Sequence, residues 1–226
     1  MNSHFNNIIK NDLRVTFRKK GNLINLIIFF LLVISLFPIG IGSDSEILGS
    51  IGVGVIWVAA LLSSTISIPY IFEEDYETGI LEQFIIQPVL PHILAVAKAI
   101  SHWLTTGLLI IILTPALILM FEENTDSALF LAISLLLGTI SFSFIGTISA
   151  SLTLGLKRGS VIASLIAVPL YIPTLIFGTG VVQSKSFGLM SEQSLTNISG
   201  LLLILLILIP LAMWSASLSL RIALEE

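Results

Sequence analysis

Six long apolar runs limit what this chain can fold into more than any other feature. They cover residues 23–42, 47–72, 93–121, 128–154, 160–182 and 198–223. Each reaches the ~20 residues that a helix needs to cross the hydrocarbon of a bilayer. The expectation is therefore an all-α, polytopic membrane protein with six transmembrane helices. Bulk composition agrees: 55% of the 226 residues are apolar and 11% are charged, against about 25% charged in soluble domains. There is no cysteine, so no disulfide framework, thiolate metal site or cysteine-based haem attachment is expected. No basic patch is interleaved with aromatics, and nucleic acid is not an expected partner.

The chain divides into residues 1–22 and a six-span permease domain, residues 23–226. The first part is polar and basic. Phe5, Ile9, Leu13 and Phe17 recur every four residues, with Lys10, Arg14 and Arg18 one step round. That pattern predicts an N-terminal amphipathic interfacial helix, apolar face down and cations toward lipid headgroups. A plain charged tail that sets topology is the simpler alternative. A basic start before an apolar run also resembles a signal peptide, but this run is long for one and five more follow. Cations fix the orientation. Lys10, Arg14, Arg18, Lys19, Lys20, Lys98, Lys157, Arg158 and Arg221 fall on the N-terminal side, and Lys185 falls opposite. The positive-inside rule then makes both termini cytoplasmic.

Residues 73–92 separate the second and third spans. This segment holds five of the fourteen acids, Glu73, Glu74, Asp75, Glu77 and Glu82, and no Lys or Arg. It reads either as a solvated acidic loop or as a surface helix. A helix over residues 75–86 would place Asp75, Gly79, Glu82 and Gln83 on one face and Ile80, Leu81, Phe84 and Ile85 on the other, with Pro88 and Pro91 ending it. Acids facing an anionic leaflet make better sense when a protein covers them. Gly79 is costly inside a helix, by ~1 kcal/mol against Ala, and suggests close approach of a partner.

Several chemistries are missing. No phosphate loop occurs: Gly155-Leu-Lys-Arg-Gly-Ser160 has the wrong spacing. No zinc-protease motif or Ser/His/Asp set is visible, so the chain is not expected to be an enzyme or to bind a metal. Lys98 and His102 lie one turn apart, with Lys98 expected to snorkel toward headgroups. His102 could ligate a metal or haem, although a histidine near an interface is more often simply hydrogen-bonded. Almost every other ionisable residue sits at a span end, which argues against ion- or proton-coupled transport. Trp57, Trp103 and Trp214 read either as a ligand-stacking set or, more simply, as packing or belt residues. The Ser/Thr ladder of the fourth span reads as helix-packing glue, with a substrate lining as the alternative. Pro169 and Pro173 should bend or break the fifth span, either shaping a cavity or being tolerated by packing.

Three stretches together resemble a known family. Glu74-Asp-Tyr-Glu-Thr-Gly-Ile-Leu-Glu-Gln-Phe84, followed by Gln87-Pro-Val89, is similar to the cytoplasmic segment between spans two and three of ABC-2-type exporters. Leu154-Gly-Leu-Lys-Arg-Gly-Ser160 and Val168-Pro-Leu-Tyr-Ile-Pro-Thr-Leu-Ile-Phe-Gly178 more particularly resemble the CcmB family, haem exporter B, the membrane subunit of the cytochrome c maturation ABC complex. The likeness covers essentially the whole chain. Ile80 departs from it, since exporters often carry Thr or Ser after the glycine.

The resemblance implies a permease subunit of the bacterial inner membrane that takes part in c-type cytochrome biogenesis. Its partners would be a CcmA-like ATPase holding ATP and magnesium, a second copy of itself, CcmC-like and CcmD-like membrane proteins, and a CcmE-like periplasmic haem chaperone. Glu73, Glu74, Asp75, Glu77, Gly79, Leu81, Glu82 and Phe84 become the ATPase-coupling residues, and Pro169, Tyr171 and Pro173 the candidates for a kink or substrate contact. Haem would be cargo rather than a bound cofactor, since no Trp-rich haem-binding stretch is present. The work driven would be haem export or release of the loaded chaperone. An ABC-2 exporter of a drug, lipid or polysaccharide, or a scaffold that transports nothing, are the alternatives.

Overall fold

The computed structural model describes residues 2–42, 45–81, 91–120, 125–183 and 191–225. Among these the chain is helical throughout, with short turns. The elements are α1 (Asn2–Arg18), α2 (Lys20–Ile41), α3 (Ser45–Ser67), a 3-10 turn (Ile68–Ile71), α4 (Glu73–Glu77), α5 (Pro91–Thr105), α6 (Gly107–Met120), α7 (Thr125–Leu152), α8 (Gly159–Gln183) and α9 (Glu192–Glu225). Six stretches are long and apolar enough to cross a membrane: Lys20–Ile41, Glu46–Glu77, Pro91–Pro115, Ala128–Leu152, Gly159–Val182 and Glu192–Ser219.

The fourth span, α7, is the hub, packed against α3, α5, α6, α8 and α9. Its inward residues are small. Thr139, Ser141, Ser143 and Thr147 are all buried. Most of their hydroxyls bond a carbonyl one turn back on the same helix, as Thr139 does to Leu135 at 2.7 Å and Thr147 to Ser143 at 2.8 Å. The ladder thus lets neighbours approach closely, and bonds between helices are few. Glycine extends the effect. Trp57 of α3 is fully buried, and a Cβ at either Gly138 of α7 or Gly178 of α8 would stand 2.1 Å from its ring. Phe142 meets Trp57 edge-on at 5.9 Å and Tyr171 at 4.5 Å. By contrast, α2 buries Leu26, Phe30 and Ile34 at four-residue spacing and presents Ile28, Leu32, Leu36 and Ile39 outward.

Two expectations about the spans change. Pro169 and Pro173 do not break the fifth span, and α8 runs through both. Both prolines lie on its exposed side while Tyr171 and Thr174 point inward. The Tyr171 hydroxyl donates to the Phe142 carbonyl at 3.3 Å and fixes α8 on α7. The sixth span begins at Glu192, six residues earlier than its apolar run, because Ser191 caps it by accepting the Ser194 amide at 3.1 Å.

Candidate coupling site

The first, second, third and fifth helices meet at the end of the bundle that carries the N-terminus. The second span does not stop as one smooth helix there. Pro69 lies in the 3-10 turn after α3, and Phe72, 1% exposed, anchors the start of α4. α4 ends at Glu77. Thr78 closes it by bonding the Glu74 carbonyl through both its amide and its hydroxyl, at 3.1 and 2.7 Å. Gly79 follows with φ of +71°, and nothing lies within 4 Å of where its Cβ would be. This corrects the expected helix over residues 75–86. Gly79 is a left-handed stop, a backbone angle that glycine adopts without strain. Helix resumes at Ile80, and Leu81 is buried. Glu82, Gln83, Phe84, Ile85 and Pro88 lie outside the described residues.

Within α4 the side chains divide by helical position. Glu74 and Asp75 turn into the bundle, while Glu73, Tyr76 and Glu77, at i, i+3, i+4 spacing, turn outward. Asp75 pairs with Lys98 of α5. The same ammonium bonds the Asp12 Oδ1 of α1 at 2.9 Å. The side chains of Lys98, Asp12 and Asp75 are 6%, 15% and 14% exposed. Lys98 therefore does not snorkel: an ammonium flanked by two carboxylates is compensated where it stands. The triad holds two anions against one cation. Burial pushes the Asp12 carboxyl above the usual carboxylate range, against the pull of Lys98. At the rim, Lys19 Nζ donates to Glu74 Oε1 at 2.8 Å. A cavity of about 100 Å³ lies beneath, walled by Asp12, Lys19, Glu74, Asp75, Lys98 and His102.

The triad also explains how α1 sits. Ile8 is buried, and Phe5, Ile9 and Asp12 are half-buried, with Phe5 and Ile9 on the core. α1 rests that side on α5, while Phe17, the last residue of the expected apolar stripe, is 55% exposed. Its packing face therefore includes an acid, which only a buried cation makes tolerable.

His102 lies one turn deeper on α5. Its Nε2 is 2.7 Å from Ser67 Oγ on α3, and its Nδ1 is 2.9 Å from Ser143 Oγ on α7. The Ser67 hydroxyl already donates to the Ser64 carbonyl. The ring therefore donates from Nε2 and accepts at Nδ1 from Ser143. Both nitrogens are engaged in tying three spans together. Among the described residues no three acidic or histidine side chains gather into a metal site.

The outward side of α4 faces a different partner within the chain. Residues 153–158 turn tightly between α7 and α8, with Gly155 at φ +79° and Arg158 at φ +70°. Between this turn and α4 runs a groove of about 290 Å³, lined by Phe72, Glu73, Tyr76, Glu77, Leu156 and Lys157. The coupling residues expected from the sequence are thus split. Glu74 and Asp75 serve the bundle, Leu81 is core, and Glu73 and Glu77 are outward. Sequence reading missed Asp12 as the counter-charge of Lys98; an acid on the packing face of an amphipathic helix is the signal that could have found it.

The family model described as "CcmB protein" matches residues 3–222. The chain is 41% identical over 224 residues to heme exporter protein B of Haemophilus influenzae, covering 98% of this chain and 99% of that protein. It is 38% identical over 212 residues to heme exporter protein B of Pseudomonas aeruginosa, covering 94% and 95%. A third relative of that name, from Rhodobacter capsulatus, is 38% identical over 205 residues, covering 91% and 94%.

Proposed function

The chain belongs to the CcmB protein family, and from that premise we propose that it is the membrane subunit of a haem exporter, worked by a separate ATPase. It is a multi-pass protein of the bacterial inner membrane with α1, α4 and the turn at residues 153–158 on the cytoplasmic side. Haem is the cargo, delivered to a periplasmic chaperone or released with it. ATP is bound and hydrolysed by the partner, which grips the segment from Glu73 to Phe84.

The observation that carries the coupling role is the two-sided α4. Its inner side is welded to α1 and α5 through Asp75 and Lys98, and its outer side presents Glu73, Tyr76 and Glu77. A displacement applied outside is passed rigidly to the second and third spans and to the N-terminal helix. Energy from ATP would enter as a shift between two packings of the bundle.

Replacing Glu82 tests this in a strain that depends on this chain for c-type cytochromes. The variant Glu82→Lys is expected to stay in the membrane at normal level and to lose most c-type cytochrome, measured by haem staining. A variant that still assembled with a wild-type ATPase and supported normal cytochrome levels would refute the coupling role.

A further inference from the structure

The cavity beneath the inner side of α4 is short of positive charge. Two carboxylates, Asp12 and Asp75, face one ammonium, Lys98, and no second cation reaches either acid among the described residues. The rim pair of Lys19 and Glu74 cancels itself. The His102 ring accepts at Nδ1 from Ser143 and is neutral, so it adds no charge. One negative charge is therefore uncompensated where the two acids are nearly covered, which is costly unless something balances it. A second, independent shortfall lies on the same wall. Ser101, one turn beyond Lys98 on α5, is 5% exposed, and its hydroxyl has no hydrogen-bond partner. It stands near enough to Asp12 to favour the carboxylate without bonding it. A proton on Asp12 would cancel the charge and bring no partner to Ser101 where it stands; a ligand in the cavity answers both.

The surroundings narrow what that ligand is. The walls pass from Val15 and Thr16 near the end of α1 to Asn22, Leu23 and Leu26 at the start of α2. There an amphipathic helix gives way to the first span, which is the depth of lipid headgroups. Tyr70 and Lys19 at the mouth are 51% and 58% exposed, an aromatic ring and a cation of the kind that flank headgroups. Lys19 Nζ gives one N–H to Glu74 and keeps two for a phosphate. We infer that the cavity binds a primary ammonium group, carried at this depth by the headgroup of an aminophospholipid. Its N–H groups meet Asp12, Asp75 and Ser101, and the phosphate behind it meets Lys19. A trimethylated ammonium has the charge but no N–H to give. A bound headgroup joins α1 to α4 and α5, and the site stands whether or not an ATPase works the chain.

Thermal unfolding of the purified full chain in an uncharged detergent tests this, with phosphatidylethanolamine, phosphatidylcholine, free ethanolamine or sodium chloride added. Phosphatidylethanolamine is expected to raise the melting temperature by about 5 °C at a hundredfold excess over its Kd. Phosphatidylcholine and sodium chloride are expected to leave it unchanged. Ser101→Ala removes a hydroxyl that bonds nothing and keeps every charge of the triad, so it is expected to fold normally and to lose most of the rise. Asp12→Asn, which removes the excess charge, is expected to lose it too. No rise with phosphatidylethanolamine, an equal rise with phosphatidylcholine or with sodium chloride, or a full rise in either variant overturns the site. Free ethanolamine acting as strongly as the lipid at the same concentration supports the ammonium site and overturns the lipid as its source.

Discussion

The two sides of α4 carry the same chemistry to opposite ends. Glu74 and Asp75 spend their charge inside the chain, on Lys19 and Lys98. Glu73, one residue before them, and Glu77, two residues after, spend theirs on nothing described in the chain. Five residues therefore hold both an inward, paired set of acids and an outward one, the handle of the proposed coupling. An acidic cluster read as a single docking patch hides this, because helical position, not charge, decides which acid is structural. The same division predicts that damage on the inner side appears as lost stability and damage on the outer side as lost coupling.

The inner side should give the largest effect. Lys98→Ala leaves Asp12 and Asp75 facing each other without compensation, and breaking a buried pair in this way costs about 3–5 kcal/mol. Thermal unfolding of the purified chain, or its level in the membrane, is the measurement. Lys98→Met combined with Asp12→Asn and Asp75→Asn removes every charge together and is expected to recover most of the loss. Asp12→Asn alone should cost clearly less than Lys98→Ala, since burial already disfavours the charged form of Asp12. A Lys98→Ala chain as stable as the wild type would show that the weld does not exist.

The outer side should behave in reverse. Glu73→Lys with Glu77→Lys is expected to leave unfolding within ~0.5 kcal/mol, as exposed substitutions usually do. The same variant should retain about tenfold less ATPase on purification, the equivalent of about 1.4 kcal/mol in affinity. Loss of stability with full retention of ATPase would reverse the assignment of the two sides.

Much of this architecture is written in the residues themselves. Lipid leaves a helix no choice about length, so six apolar runs become six spans. The exceptions are physical. The sixth span starts early because Ser191, Glu192 and Gln193 form a polar first turn that a hydropathy criterion discards and a capping criterion keeps. Gly79 fits an uninterrupted helical face as well as it fits a stop, and only its backbone angle decides. The triad joins positions 12, 75 and 98 on three elements, and no local pattern encodes that meeting. The groove is less legible still, because Glu77 and Lys157 become neighbours only when α7 and α8 have packed.

Gly79 sharpens the comparison at a smaller scale. Gly79→Ala meets no neighbour, so its cost is that of a left-handed alanine alone, about 1–2 kcal/mol. The change should lower the melting temperature modestly and let α4 continue into Ile80, rotating Glu77 and the following residues. ATPase retention is the second readout, and a fall larger than the stability change would show that the handle needs its stop.

The smallest effect belongs to the rim. Lys19 and Glu74 are 58% and 40% exposed, and a surface pair of this kind is worth about 0–1 kcal/mol and is screened by salt. Glu74→Gln should therefore shift unfolding barely at low salt and not at all at high salt. If instead Glu74→Gln destabilised as much as Lys98→Ala, the rim would belong to the weld. α1 would then be held at two points of similar strength, and the cavity between them would be closed rather than merely covered.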